Sequence, residues 1–141
     1  MTADFINQTL NKKIMLKPVK KRFDIQITAI NQSVTKTFEL DKNIKSVKGI
    51  LVTSDKDDLM YYRGSQRIEI NKEEYFPENY ESKLLMSGIN VPPKQRYYDL
   101  GNVNPGNGSV KIVYQDTADG RTVFATYRVS LYLDCEMEDA G

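Results

Sequence analysis

The longest regular pattern in the chain is a two-residue alternation over residues 121–134, RTVFATYRVSLYLD. The side chains that share its apolar face are Val123, Ala125, Tyr127, Val129, Leu131 and Leu133. Because successive side chains of a strand point to opposite faces of a sheet, the pattern predicts one long strand with a single buried face. Residues 109–115 alternate in the same way, and Asp119-Gly120 between the two segments is a typical hairpin turn. We therefore expect a β-hairpin over 109–134 at the centre of the core.

Shorter segments with strand-like alternation precede this hairpin. They cover residues 23–30, 33–40, 46–54 and 66–70, and turns rich in Gly, Asn and Asp separate them. No long amphipathic helix interrupts the series, and 141 residues are enough for one domain. The sequence therefore predicts an all-β fold, an antiparallel β-sandwich with either a jelly-roll or an immunoglobulin-like topology.

Charge is concentrated at the two ends of a chain whose net charge is only +1. Residues 1–22 contain one acidic side chain and six basic ones, which are Lys12, Lys13, Lys17, Lys20, Lys21 and Arg22. Residues 134–141 contain four acidic side chains and no basic one. This distribution predicts a basic N-terminal arm over 1–22, a sandwich over 23–134 and an acidic tail over 135–141. We expect the arm to dock onto an acidic protein surface. Nucleic acid is a less favoured partner because aromatic side chains occur only at the edges of the arm.

Residues 71–98 are predicted to form an irregular insertion, since three prolines and one glycine interrupt them. A long excursion within a small domain is usually functional. Tyrosine is an amphipathic side chain that is enriched at protein interfaces, and the paired Tyr61-Tyr62 and Tyr97-Tyr98 lie outside the strand pattern. We expect the insertion to bind a partner through Tyr75, Phe76, Tyr80, Tyr97 and Tyr98.

The composition argues against several classes of chemistry. The chain has no histidine and a single cysteine, Cys135, so it lacks the commonest general base, any CxxC metal site and any internal disulfide. The acidic run at Asp55 does not form an EF-hand, because Met60 and Gln66 occupy the positions of its glycine and glutamate. No phosphate-binding or zinc-protease motif is present. We therefore expect neither enzymatic activity nor a metal or other cofactor.

Targeting signals are also missing from the sequence. No apolar run is long enough to cross a bilayer, and the N-terminal residues lack the apolar core of a signal peptide. We expect a protein that is made in the cytoplasm and has no membrane partner.

The basic arm, the turn at Arg63-Gly64-Ser65-Gln66, the irregular insertion and the terminal hairpin together resemble the small β-sandwich virion proteins of tailed bacteriophages. These include auxiliary capsid, head-fibre-base and connector proteins. The resemblance implies a non-enzymatic structural protein of the virion that docks onto other virion proteins or assembles with itself. The alternative is a carbohydrate- or receptor-binding module that uses the loops at one end of the sandwich.

Overall fold

The computed structural model describes residues 15–139, which form eight strands and three short helices. The strands are β1 (Met15–Ile27), β2 (Ser33–Glu39), β3 (Ile44–Ser54), β4 (Gly64–Ile70), β5 (Glu73–Glu81), β6 (Tyr98–Val103), β7 (Ser109–Asp116) and β8 (Tyr127–Asp139). The helices are α1 (Asp57–Arg63) and two 3-10 helices, Ser82–Leu85 and Pro93–Gln95. The strands make two antiparallel four-stranded sheets that pack together, so the predicted all-β sandwich is confirmed.

The order of the strands decides between the two topologies that the sequence left open. Sheet A has the order β1-β8-β3-β6, and sheet B has the order β2-β7-β4-β5. The first strand therefore pairs with the last, the second with the seventh, the third with the sixth and the fourth with the fifth. This nested pairing of eight strands is a jelly roll, whereas an immunoglobulin-like domain would divide seven or nine strands differently.

The core lies between the inner faces of the two sheets. Its largest fully buried side chains are Tyr114, Tyr127, Ile25, Ile27, Ile50, Met60, Ile68, Ile70, Leu85, Ile112, Leu131 and Leu133. Aromatic pairs lie along the two open sides of the sandwich. Phe23 of β1 stacks on Phe38 of β2 with ring centroids 4.5 Å apart, and Phe76 of β5 meets Tyr98 of β6 edge to face at 5.3 Å. These pairs link the edge strands of one sheet to those of the other.

The hairpin expected over 109–134 is not formed, although four of the six inward positions predicted for residues 121–134 are correct. Strands β7 and β8 belong to different sheets, and the loop 117–126 crosses from one to the other. The four inward positions from Tyr127 to Leu133 are buried as predicted, but Val123 in the loop is 89% exposed. Alternation alone shows neither which strand a segment pairs with nor where the strand begins. The predicted strand therefore starts at residue 121, whereas β8 begins at Tyr127.

Parts of the expected arm and tail lie within the sandwich instead of outside it. Residues 15–22 form the first half of β1, and residues 134–139 form the second half of β8. Residues 15–20 pair with residues 134–139, and Lys20 lies opposite Asp134. The basic and the acidic segment are therefore neighbours in one strand pair. Lys12 and Lys13 lie outside the described residues.

The expected insertion over 71–98 contains a regular strand. Strand β5 begins at Glu73 and pairs with β4, with irregular register on both sides of Ile68. Pro77 is compatible with this position because β5 is the edge of sheet B, where one side of the strand needs no hydrogen-bond donor. Only residues 82–97 remain irregular, and they include the two 3-10 helices.

One end of the sandwich carries most of the non-strand structure, and we call it the loop end. It consists of the turn 28–32, helix α1, the 3-10 helix Ser82–Leu85 and the loop 117–126. Hydrogen bonds from the Ala118 amide to the Asn31 side chain and from the Arg128 amide to Asp55 hold these segments together. Met15 and Asp139 lie at the opposite end, where β1 begins and β8 ends.

Candidate functional site

The described basic residues of the predicted binding set lie along β1, an edge strand of sheet A. They are Lys17, Lys20, Lys21 and Arg22. Three of them contact carboxylates of this same chain at 2.7–2.9 Å: Lys20 contacts Asp134, Lys21 contacts Asp41 and Arg22 contacts Asp24. Much of the positive charge expected to attract a partner is therefore balanced within the fold. Lysines on an edge strand also discourage pairing with a foreign strand.

The predicted aromatic residues do not share one environment. Phe76 is only 2% exposed and packs against Tyr80 with ring centroids 4.9 Å apart, so it is a core residue rather than a contact for a partner. Tyr75 is half-buried and donates a hydrogen bond to Glu73 at 2.8 Å. Tyr98 is exposed on one side and contacts Phe76 on the other.

Tyr97 is the aromatic residue that meets the basic set. The ammonium of Lys20 lies 5.6 Å from the centroid of its ring. A hollow of about 260 Å³ surrounds this contact on the outer face of sheet A, and we call it the Tyr97 patch; its lining residues are Lys20, Pro93, Lys94, Tyr97 and Asp134. The tyrosine approaches the sheet closely because Gly49 lies beneath it, where an added Cβ would be 2.9 Å from the Tyr97 Cβ. Desolvation raises the pKa of Tyr97 above its ordinary value, which keeps the phenol protonated.

A cleft at the loop end was not among the predicted sites. It has a volume of about 510 Å³ and opens between α1, the end of β5 and residues 117–119. Tyr61 and Tyr62 of α1 line it and remain 47% and 48% exposed. The tyrosine pair was visible in the sequence, but a helix of seven residues is too short to produce a clear periodicity.

A buried ion pair lies directly beneath this cleft. The Arg63 guanidinium donates two hydrogen bonds to Asp116, from Nε at 3.0 Å and from Nη2 at 2.8 Å. Their side chains are only 2% and 0% exposed. The Tyr127 hydroxyl donates to the same carboxylate at 2.7 Å, and the Asn31 amide donates to it at 3.0 Å. One carboxylate therefore ties α1, β7, β8 and the turn 28–32 together.

The groups of this network have pKa values far from neutral pH, so none of them changes its protonation state there. Burial raises the pKa of Tyr114 to about 12, and burial likewise raises the pKa of Tyr127, whose hydroxyl is 3.1 Å from that of Tyr114. Burial opposes the charge on Asp116, but hydrogen bonds from Arg63 and Tyr127 lower its pKa below the ordinary value. At neutral pH the network therefore holds one ion pair and two protonated phenols, which suits it to ordering the loop end.

The single cysteine lines neither the patch nor the cleft. Cys135 is buried, and desolvation raises the pKa of its thiol to about 11. The thiol therefore stays protonated at neutral pH and is a poor nucleophile.

Gly64 connects α1 to β4 beside the buried network, and it leaves no room for a side chain. An added Cβ would overlap the Tyr114 hydroxyl and lie 2.8 Å from both the Met60 carbonyl oxygen and the Ser82 hydroxyl. We expect Gly64→Ala to lower the free energy of unfolding by about 1–3 kcal/mol in a urea titration, because overpacking displaces buried neighbours.

Gly88→Ala is the matched control for this substitution. The nearest atom to its added Cβ, at 2.9 Å, is the end of the Asn90 side chain, which is free to move away. A change within about 0.5 kcal/mol is expected there. Equal effects of the two substitutions would contradict the close packing described at Gly64.

Between residues 15 and 139, no three Cys, Asp or Glu side chains are grouped so that they would hold a metal ion. None of the helices in that range is both long and apolar enough to cross a membrane. In comparisons with known proteins, no family model, no curated protein and no solved structure matches this chain.

Proposed function

We propose that the chain is a non-enzymatic structural protein of a tailed-bacteriophage particle, which docks onto other virion proteins or assembles with copies of itself. The jelly-roll topology supports this proposal, since viral capsid domains commonly use that architecture. Architecture alone does not establish a function, because one fold serves many. The proposal therefore also needs a specific surface that could bind a partner.

The Tyr97 patch is the observation that carries the proposal. It joins a residue from each of the two segments that the sequence predicts to bind partners, Lys20 and Tyr97. Protein interfaces favour a tyrosine anchor in a hollow with charged groups at the rim, and the patch has this arrangement, with Lys94 and Asp134 beside the ring.

Detection of the chain in purified particles tests the proposed role. Lysates of cells that produce this protein would be banded on a density gradient, and each fraction would be analysed by mass spectrometry. We expect the chain to band with intact particles at a fixed ratio to the major shell protein. A chain found only in the fractions of free soluble protein would contradict the proposal.

The Tyr97→Ala variant tests the proposed surface. It removes the aromatic ring while keeping the Cβ above Gly49, so we expect docking or self-association to weaken by at least about 2 kcal/mol, as for an interface hot spot. Light scattering after size-exclusion chromatography and recovery with banded particles measure the effect. Tyr62→Ala is the control, because Tyr62 is an exposed tyrosine that lies at the loop end, outside the Tyr97 patch. Equal weakening by both variants would place the interface elsewhere.

A further inference from the structure

The cleft at the loop end has the size of a ligand site and is lined by a tyrosine pair. Its volume of about 510 Å³ falls within the range of small-molecule sites. Tyr61 and Tyr62 meet edge to face with ring centroids 5.0 Å apart. The Lys83 ammonium lies 5.6 Å from the centre of the first ring, and the Arg121 guanidinium lies 5.5 Å from the centre of the second. These contacts restrain the two rings while leaving about half of each exposed.

The charges that line the cleft cancel. Its lining contains two cationic side chains, Arg63 and Lys83, and two anionic ones, Glu81 and Asp119. The Arg63 charge is already engaged by Asp116 in the buried ion pair, and Lys83 lies 3.9 Å from Glu81. A site for phosphate or another strongly charged ligand would need an excess of one sign. The balance favours a neutral ligand.

Hydrogen-bonding groups in the cleft are suited to a ligand that carries hydroxyls. Asn79, Ser65 and Thr117 line it together with the two carboxylates. The Oδ1 atom of Asp119 accepts hydrogen bonds from the Thr122 amide and hydroxyl, whereas its buried Oδ2 atom has no hydrogen-bond partner among the described residues. The accessible polar groups of Ser65, Asn79 and Thr117 therefore supply donors and acceptors that match ligand hydroxyls.

We propose that this cleft binds a neutral sugar residue of a glycan. A pyranose ring has an apolar C–H face that packs on an aromatic ring and a rim of hydroxyls that bond to carboxylate and amide groups. The tyrosine pair and the polar lining supply these two kinds of contact side by side. The inference goes beyond the proposed structural role and does not depend on it, because the cleft and the Tyr97 patch share no lining residue.

A titration followed by NMR tests the proposal with the full chain. The ¹⁵N-labelled protein would be titrated with the methyl glycosides of glucose, galactose, mannose and N-acetylglucosamine, and separately with inorganic phosphate. We expect saturable shifts for at least one sugar at the amides of Tyr61, Tyr62 and Thr117, with no comparable shifts for phosphate. Absence of saturable shifts with all four sugars, shifts confined to another surface, or binding of phosphate alone would overturn the proposal.

Two variants of cleft residues and one control variant test whether the sugar binds in this cleft. Tyr62→Ala is expected to weaken sugar binding about tenfold or more, because it removes a packing surface. Asn79→Gly removes an amide from the cleft while keeping a residue that tolerates the observed φ of 66°, so it tests the same site without disturbing α1. Tyr98→Ala removes a tyrosine of similar exposure outside the cleft and is expected to leave sugar binding unchanged. If affinity is unchanged in both cleft variants, the proposal is wrong even if a sugar binds.

Discussion

Replacing Asp116 with alanine is expected to lower the free energy of unfolding by about 3–5 kcal/mol. The substitution leaves the Arg63 guanidinium buried without its carboxylate, at a position where the side chain is only 2% exposed. It also removes the acceptor of hydrogen bonds from Tyr127 and from the Asn31 amide. Urea titration at neutral pH measures the loss.

Two controls separate the effect of burial from the effect of charge. Arg63→Met combined with Asp116→Leu removes both charges, and it should cost less than Asp116→Ala because no buried charge is left unpaired. Lys45→Ala breaks the surface pair with Glu138, in which the side chains are 45% and 35% exposed, and it should cost less than about 1 kcal/mol. A loss below about 1 kcal/mol for Asp116→Ala would contradict the structural role assigned to the pair.

The same ion pair predicts a dependence of stability on pH. The pKa of Asp116 is lowered in the folded chain from its ordinary value of 3.8, so its contribution to stability is fully present above that value and is lost as the pH falls towards the folded pKa. Asp119 changes in the same direction, because hydrogen bonds from the Thr122 backbone lower its pKa to about 2. The difference in stability between the unaltered chain and Asp116→Ala should therefore shrink on acidification below pH 3.8.

Leu131→Ala is expected to cost about 2–5 kcal/mol, because it leaves a cavity in the core. Leu131 is 1% exposed and lies on β8, the strand of sheet A that pairs with both β1 and β3. The neighbouring strands on both sides limit how far the site can collapse around the missing atoms. Urea titration again gives the change in the free energy of unfolding.

Val123→Ala is the matched comparison for this core substitution. Both residues occupy apolar positions of one alternating pattern, yet Val123 is 89% exposed. A change within about 0.5 kcal/mol is expected there. A comparable loss at the two positions would mean that the loop 117–126 packs on the core, as the sequence pattern alone suggested.

The strands were largely predictable because each one carries its own alternation of apolar and polar residues. Strand β4, for example, is buried at every second residue from Gly64 to Ile70. The choice between a jelly roll and an immunoglobulin-like fold was not predictable, since it depends on which distant strands pair. The opposite charges of residues 15–22 and 134–139 did contain a hint of this pairing. From the sequence alone they indicate a separate arm and tail instead of one strand pair.

The candidate sites were less predictable because they arise where distant segments meet. Lys20 and Tyr97 were both predicted to bind a partner, but their contact across sheet A depends on the route of residues 82–97. Helix α1 was missed because only Leu59, Met60 and Arg63 are buried in its seven residues. The sequence therefore identified Tyr61-Tyr62 as unusual without locating the cleft beside them.

The pairing of the first described strand with the last has a consequence for biosynthesis. Among the described strands, β1 pairs only with β8 and so has no partner until β8 has been translated, while β3 has only the short β6 beside it. At about 5–20 residues per second, a ribosome takes several seconds or more to reach β8, and the edges of β1 and β3 stay unpaired during that time. We therefore expect sheet A to form only after β8 has been made, at the slow rates typical of folds dominated by distant pairings. The nascent chain should be most prone to aggregation just before that point.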